Sequence, residues 1–115
     1  MLWNIQHKLI LKFQKEHPEW HFYRHEDLSI YPEKYFKKLY KELGLNYSEE
    51  INDKIKSYTL ESNKTEADKG KQFDFIRNSK AVTRLWKKHL TEKEIKEIHN
   101  GTLAISSKFY DESFW

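Results

Sequence analysis

The sequence contains no cysteine and only three glycines and two prolines among its 115 residues. Without cysteine there are no disulfide bonds or thiolate metal ligands, which is typical of the reducing cytoplasm. Gly44, Gly70 and Gly101 stand far apart, so no Gly-x-x-x-x-Gly-Lys loop is present to hold nucleotide phosphates. No apolar run approaches the roughly 18 residues of a membrane-spanning helix, and no signal segment follows Met1. We therefore expect a cytoplasmic chain with no membrane partner.

Aromatic and charged residues are abundant, at 16% and 34% of the chain. Disordered chains are poor in aromatic residues, so this composition predicts a folded protein. A chain of 115 residues forms one domain at most and has a limited core. The formal net charge of +3 is too small to indicate nucleic acid binding by itself.

The hydrophobic pattern predicts a mainly α chain with one short strand. Apolar residues at helical spacing indicate an amphipathic helix over residues 2–16, which Pro18 ends. Large aromatic residues alternate with polar ones from Trp20 to Arg24, as in a strand. Further helices are predicted to start at Pro32, Ser48, Ser79 and Thr91, which are favourable first-turn or capping residues. We expect the first of these to end at Leu43 before Gly44.

The same pattern predicts which side chains are buried. Residues 61–72 contain no large apolar side chain and are predicted to form a mobile surface loop. The aromatic and aliphatic residues that follow the loop should return the chain to the core. The side chains expected on the inner faces are Leu2, Ile5, Leu9 and Phe13 with Trp3 and Ile10 beside them, Phe36, Leu39, Tyr40, Leu43, Ile51, Ile55, Tyr58, Phe73, Phe75, Ile76, Val82, Leu85, Trp86, Ile95, Ile98, Thr102 and Ile105.

Three segments together resemble landmarks of sulfotransferases that use 3′-phosphoadenosine 5′-phosphosulfate. RNSKAVTRLWKKHLT, from Arg77 to Thr91, is similar to their C-terminal phosphate-binding segment. HFYRHEDLSIYPEKYFKKLYKELGL, from His21 to Leu45, resembles their strand, Glu-Asp-Leu turn and Pro-started helix ending in Leu-Gly-Leu. The ending FYDESFW, from Phe109 to Trp115, looks like the aromatic C-terminus of bacterial members.

The resemblance implies that residues 1–115 are the C-terminal part of a P-loop-like α/β sulfotransferase domain. The intact family transfers a sulfuryl group from 3′-phosphoadenosine 5′-phosphosulfate to a hydroxyl or amine acceptor. Its 5′-phosphosulfate loop and its general base lie in a half that this chain lacks, so we expect no catalytic residue here and no activity from the chain alone. The strand would belong to a parallel sheet supplied mostly by that half. The expected partner is therefore the missing N-terminal half or a second copy of the chain.

The resemblance also implies a set of nucleotide-binding residues. Arg77, Ser79 and Lys80 would face the 3′-phosphate, since Arg donates two hydrogen bonds to one phosphate and Lys adds a point charge. The better-known family pattern has Arg-Lys-Gly where this chain has Ser79, Lys80 and Ala81, so Arg77 stands two residues early. Lys87, Thr59 and His25 complete the predicted site, with Thr59 and His25 near the adenine. The same cations can also be plain solvated surface charges.

Two other functions are compatible with the sequence. The chain can be a non-catalytic helical module that binds another protein through its aromatic faces. It can also be a small nucleic-acid binder that uses Lys37, Lys38, Lys41, Lys87 and Lys88, but acidic neighbours interrupt these lysines, so no nucleic acid partner is expected. No metal site is expected either, because Pro18 interrupts any helix that would gather His17, His21 and His25.

Overall fold

The computed structural model describes residues 1–71 and 74–115, and this part of the chain is mainly helical, as predicted. Its helices are α1 (Leu2–Glu16), α2 (His25–Ile30), α3 (Pro32–Glu42), α4 (Glu49–Thr59), α5 (Ser79–Val82), α6 (Trp86–His89) and α7 (Glu92–Ser106), and a 3-10 turn covers Glu112–Phe114. The predicted starts of the helices at Pro32, Ser48 and Thr91 are confirmed to within one residue. The short helix α2 was not predicted.

The chain divides into two compact units. The terminal unit consists of Met1–Phe22 and Lys87–Trp115 and contains α1 and α7. The central unit consists of Tyr23–Trp86 and contains α2, α3, α4 and α5. The predicted single partial domain over residues 1–115 gave no indication of this division.

The predicted strand from Trp20 to Arg24 does not form. The segment is irregular, and no strand occurs anywhere in residues 1–71 and 74–115. A strand needs a neighbour to pair its backbone groups, and without one the aromatic rings here contact side chains of the preceding helix and turn. Trp20 stacks on His17 with 4.1 Å between ring centroids and lies 5.8 Å from Phe13. The prediction of one short strand is therefore wrong, and the α/β fold that the resemblance implies stays a prediction.

Helix α2 begins where the sequence indicated only a turn. Glu26 and Asp27 lie in its first turn, where carboxylates complement the positive end of the helix dipole. The guanidinium of Arg24, the N-cap residue, donates to both oxygens of Asp27, from Nη2 at 2.6 Å and from Nε at 2.9 Å. This bidentate pair fixes the chain direction just before the helix.

Side-chain and glycine caps end or begin several helices. Gly44 has a φ of 66°, the left-handed conformation that terminates α3. The Ser48 hydroxyl accepts a hydrogen bond from the Ile51 N–H at 3.3 Å. Thr91 and Glu94 form the predicted capping box at the start of α7. At α5, however, the cap is Asn78 rather than Ser79, because the side-chain oxygen Oδ1 of Asn78 accepts from the Ala81 N–H at 2.9 Å.

The predicted core is much more open than expected. No hydrophobic side chain of the described residues is fully buried, and the buried side chains are the small polar ones of Ser29, Thr83, Thr102 and Ser106. Of the apolar residues predicted on α1, Trp3 and Ile10 are half-buried, together with His7 on the same face. The row on the opposite face is exposed. The predicted buried residues that are in fact exposed are Leu2, Ile5, Leu9, Phe13, Leu43, Tyr58, Phe75 and Ile76. Phe73 lies outside the described residues.

The segment from Glu61 to Lys71 is held by charges. The Lys64 ammonium pairs with Asp68 at 2.7 Å and also with Asp74, and Lys71 pairs with Asp68 at 2.9 Å. The Asn63 amide donates to the Ser57 carbonyl oxygen at 2.9 Å. The mobility of the loop stays a prediction, and its last residue, Gln72, lies outside the described residues.

Acid is expected to open this charge cluster. Hydrogen bonds from Lys64 and Lys71 lower the pKa of Asp68 from 3.8 to about 2. Because the folded pKa lies below the unfolded one, the carboxylate stabilises the loop above about pH 4, and this contribution is lost as the pH falls through about 2. The carboxyl ¹³C shift of Asp68 should therefore titrate near pH 2, and in Lys64→Met the midpoint should rise toward 3.8. A midpoint that stays the same in Lys64→Met, as in the control Lys69→Met, would contradict this assignment.

Candidate functional site

A pocket of about 400 Å³ in the central unit brings together three of the six predicted site residues. Thr59 comes from the end of α4, Arg77 from the segment before α5, and Ser79 from the first position of α5. Among the described residues, the lining consists of Phe36, Lys54, Ile55, Tyr58, Thr59, Phe75, Arg77 and Ser79. The pocket therefore joins α3 and α4 to a segment about 20 residues further along the chain.

Hydrogen bonds to backbone carbonyl oxygens hold the two sides of the pocket together. The Arg77 N–H donates to the Tyr58 carbonyl oxygen at 3.0 Å. The Ser79 hydroxyl lies 2.6 Å from the carbonyl oxygen of Ser29, to which it donates, and 3.4 Å from that of Thr59. These contacts dock the start of α5 against the ends of α2 and α4, which places Arg77 and Ser79 beside Thr59.

The Arg77 guanidinium is anchored but keeps donors for a ligand. Its Nε donates to the Asp74 carbonyl oxygen at 3.0 Å, and Nη1 lies 3.5 Å from the Thr65 carbonyl oxygen. A guanidinium has five N–H groups, so three remain beyond these two bonds. An anchored fork with remaining donors loses little conformational freedom when it binds an anion, since its position is already fixed.

The hydroxyl groups of Thr59 and Ser79 donate hydrogen bonds to backbone carbonyl oxygens of the protein itself. The Thr59 hydroxyl donates to the Ile55 carbonyl oxygen at 2.7 Å, within its own helix. Each hydroxyl has a single proton, and in Ser79 that proton is used toward Ser29. Their oxygens can still accept a hydrogen bond, for instance from an amino group. Donation to a phosphate would require the hydroxyl to leave its backbone partner.

Aromatic rings and one further cation complete the lining. Phe75 and Tyr58 both line the pocket, and their side chains are 69% and 41% exposed. Lys54 was not predicted as a site residue, and its ammonium makes no ion pair with any residue that the structure describes. It precedes Tyr58 by four residues on α4, and this i, i+4 spacing places both on one helix face. A search of α4 for cations on the face of Tyr58 would have found it.

The other three predicted residues lie elsewhere. Lys80 is exposed and its ammonium contacts the Glu61 carboxylate at 3.0 Å. The His25 imidazole Nε2 lies 3.3 Å from the Ser29 hydroxyl. Lys87 belongs to the terminal unit, where its ammonium donates to the backbone oxygen of Trp115. None of the three lines the pocket, and their roles toward a nucleotide stay predictions.

Comparisons of the chain with protein-family models, curated proteins and solved structures found no match. The resemblance to sulfotransferases therefore rests on the three segments of this sequence alone. Among the described residues, no three His, Asp or Glu side chains are grouped as metal ligands. Within the same residues, no helix has the length and apolar character needed to cross a bilayer.

Proposed function

We propose that the central unit binds the 3′-phosphoadenosine portion of 3′-phosphoadenosine 5′-phosphosulfate. The observation that carries this proposal is the shared pocket of Thr59, Arg77 and Ser79. The resemblance assigns these residues to one nucleotide although 18 positions separate Thr59 from Arg77. By this proposal the chain is the C-terminal segment of a sulfotransferase acting on a hydroxyl or amine acceptor.

The chemistry of the pocket suits a nucleotide for reasons independent of the resemblance. Flat aromatic bases bind against aromatic side chains, and Tyr58 and Phe75 both line this pocket. An adjacent phosphate meets the Arg77 fork, which matches its oxygens bidentately. Lys54 supplies a second positive charge in the same lining. One apolar wall and two cations therefore accommodate a base and a phosphate together.

Lys80 can join this site at little cost. Its partner Glu61 is 76% exposed at the side chain, and exposed ion pairs contribute about 0–1 kcal/mol. Because Lys80 follows Ser79 directly in the first turn of α5, an anion that meets Ser79 competes with Glu61 for the ammonium. His25 and Lys87 have no comparable position in the lining, so Arg77 and Lys54 carry the phosphate contact in this proposal.

Sulfuryl transfer itself requires donors that this chain does not offer. Charge on the transferred group is stabilised by preorganised donors around the 5′-phosphosulfate, which a glycine-rich loop supplies in this kind of enzyme. The three isolated glycines of this chain form no such loop. We therefore assign nucleotide recognition to the chain and transfer to a segment that is not in this sequence.

Calorimetry with adenosine 3′,5′-bisphosphate and adenosine 5′-monophosphate tests the proposal. One charge-assisted hydrogen bond contributes about 1.5–3 kcal/mol, and in an open pocket we expect the lower end, or about tenfold tighter binding of the bisphosphate. Arg77→Ala should remove this preference, and Lys54→Ala should reduce it. The matched control Arg84→Ala should keep it, since Arg84 does not line the pocket. Equal affinity for both nucleotides in the unaltered chain would refute the proposal.

A helical protein-interaction module is the second candidate function. The observation that favours it is the amount of exposed apolar surface, since Leu2, Ile5 and Phe75 are 71%, 60% and 69% exposed. Large exposed apolar patches mark interaction sites in soluble proteins. Failure to bind either nucleotide, combined with stable association through these residues, would favour the module over the nucleotide-binding segment.

A further inference from the structure

Helix α1 presents a row of exposed apolar side chains, which we call the outer stripe. It consists of Leu2, Ile5, Leu9 and Phe13, whose exposed fractions are 71%, 60%, 47% and 36%. The opposite apolar face of α1 is already used: Trp3 stacks on His7 at 3.6 Å, and both rings meet Phe109 edge-on. The ring of Phe13 lies 5.8 Å from that of Trp20, so the C-terminal end of the outer stripe takes part in the packing of the terminal unit, whereas Leu2, Ile5 and Leu9 stay largely exposed.

The width of the outer stripe indicates a helix as its partner. At about 100° per residue, its four members span an arc of about 80°. Helices that lie in a lipid surface have a broad apolar face. Here Lys12 lies at the border of the arc, and Glu16 continues the arc at its C-terminal end, so charged residues limit its width and its length. An arc this narrow is the width of a seam between two helices.

The spacing of the outer stripe is the same in both directions. From Leu2 through Ile5, Leu9 and Phe13 to Glu16, the steps are three, four, four and three residues. An antiparallel copy of α1 with a twofold axis at Leu9 therefore places Leu9 against Leu9 and Ile5 against Phe13. A closed, self-complementary contact of this kind is the commonest symmetry of soluble dimers.

The ends of such a pair are complementary in charge. The N-cap of α1, Met1, makes no side-chain capping bond, and the first turn of the helix contains no acidic residue. In the antiparallel arrangement Glu16 of the other copy reaches this uncapped, partially positive end. Lys12, 3.7 Å from Glu16 on its own helix, lies with Lys8 along one border of the stripe. These lysines repel across the pair, so salt should strengthen association.

We propose that a second copy of this chain docks on the outer stripe as an antiparallel helix pair centred on Leu9. The proposal does not depend on nucleotide binding, because the outer stripe belongs to the terminal unit and the pocket to the central unit. The contact is small, and interfaces below about 1,200 Å² are weak or transient. We therefore expect a dimer that dissociates on dilution.

The lack of cysteine makes single-cysteine variants a direct test. Under mild oxidation at 0.15 M salt, Leu9→Cys should form a disulfide-linked dimer. Ile5→Cys and Phe13→Cys should cross-link poorly alone but efficiently when mixed, since antiparallel pairing brings position 5 to position 13. Leu103→Cys is the matched control: it lies on α7 of the same unit, is 41% exposed and should stay monomeric. Equal cross-linking of Leu9→Cys and Leu103→Cys would overturn the proposal.

Sedimentation of the cysteine-free chain supplies the independent readout. The unaltered chain should show a monomer–dimer equilibrium, which Leu9→Lys should shift toward monomer by at least tenfold because it places two charges at the axis. Leu103→Lys should leave the equilibrium unchanged. A monomer at all concentrations refutes the dimer, as does a monomer that co-sediments with anionic phosphatidylglycerol vesicles. Self-cross-linking of Ile5→Cys as strong as that of the mixture refutes the antiparallel arrangement.

Discussion

Replacing Asn78 by alanine is expected to lower the free energy of unfolding of the central unit by about 2 kcal/mol. The side chain makes two bonds: its oxygen caps α5 at the Ala81 N–H, and its nitrogen donates to the Glu61 carbonyl oxygen at 2.7 Å. A lost cap costs about 1 kcal/mol, and a lost hydrogen bond costs a similar amount. The backbone bond from Asn78 to Lys64, at 2.9 Å, survives the substitution.

Hydrogen exchange of the α4 and α5 amides measures this loss within the central unit. Asn78→Ser should recover about half of it, because serine caps a helix well but is too short to reach Glu61. Asn46→Ala serves as the control, since Asn46 is an exposed asparagine of the same unit. Since Asn78 lies between Arg77 and Ser79, nucleotide affinity should fall with Asn78→Ala as well. A loss of unfolding free energy in Asn78→Ala no larger than in Asn46→Ala would show that the two side-chain hydrogen bonds of Asn78 contribute no stability.

Replacing Trp3 by alanine is expected to destabilise the terminal unit by about 2–3 kcal/mol. The Trp3 ring stacks on His7 at 3.6 Å between centroids and meets the edge of Phe109 at 6.4 Å. Truncation of a fully buried aromatic residue costs about 3–5 kcal/mol, and Trp3 is only half-buried, which lowers the figure. The His7 imidazole also loses its stacking partner while its Nδ1 stays 2.9 Å from the Trp3 carbonyl oxygen.

Trp20→Ala is the matched control for Trp3→Ala. Trp20 belongs to the same unit and also stacks on a histidine, His17, at 4.1 Å, but it is 50% exposed. We expect Trp20→Ala to cost about 1 kcal/mol or less, because less of the ring surface leaves water on folding. Urea denaturation followed by far-ultraviolet circular dichroism compares the two variants. Equal losses would mean that the contact with Phe109 adds no stability.

The candidate site was predictable only in part. The resemblance singled out Thr59, Arg77 and Ser79, and the central unit places all three in one pocket. Lys54 was missed because its ordinary position on an amphipathic helix gives no local signal of a ligand. Lys80 was expected beside the same phosphate, yet it contacts Glu61 across the surface. A long cationic side chain can reach several acidic groups around it. For Lys80, the acidic group within reach depends on the path of residues 61–64, which the sequence of its own helix does not indicate.

The sequence by itself determined where α3, α4 and α7 begin and where α3 ends. The caps at Ser48, Thr91 and Gly44 depend on groups within four residues, and so they could be recognised without knowing the fold. Only the tertiary structure decided that Trp20 to Arg24 form no strand, because a strand requires a neighbouring strand, which the local sequence pattern cannot supply.

The tertiary structure also decided which face of α1 is covered. Both faces are apolar, and their periodicity is equally helical, so no count of residues distinguishes them. The Phe109 ring packs against Trp3 and His7, and this contact leaves Leu2, Ile5, Leu9 and Phe13 outside. Burial is a property of two surfaces that meet, whereas hydrophobic periodicity describes only one of them.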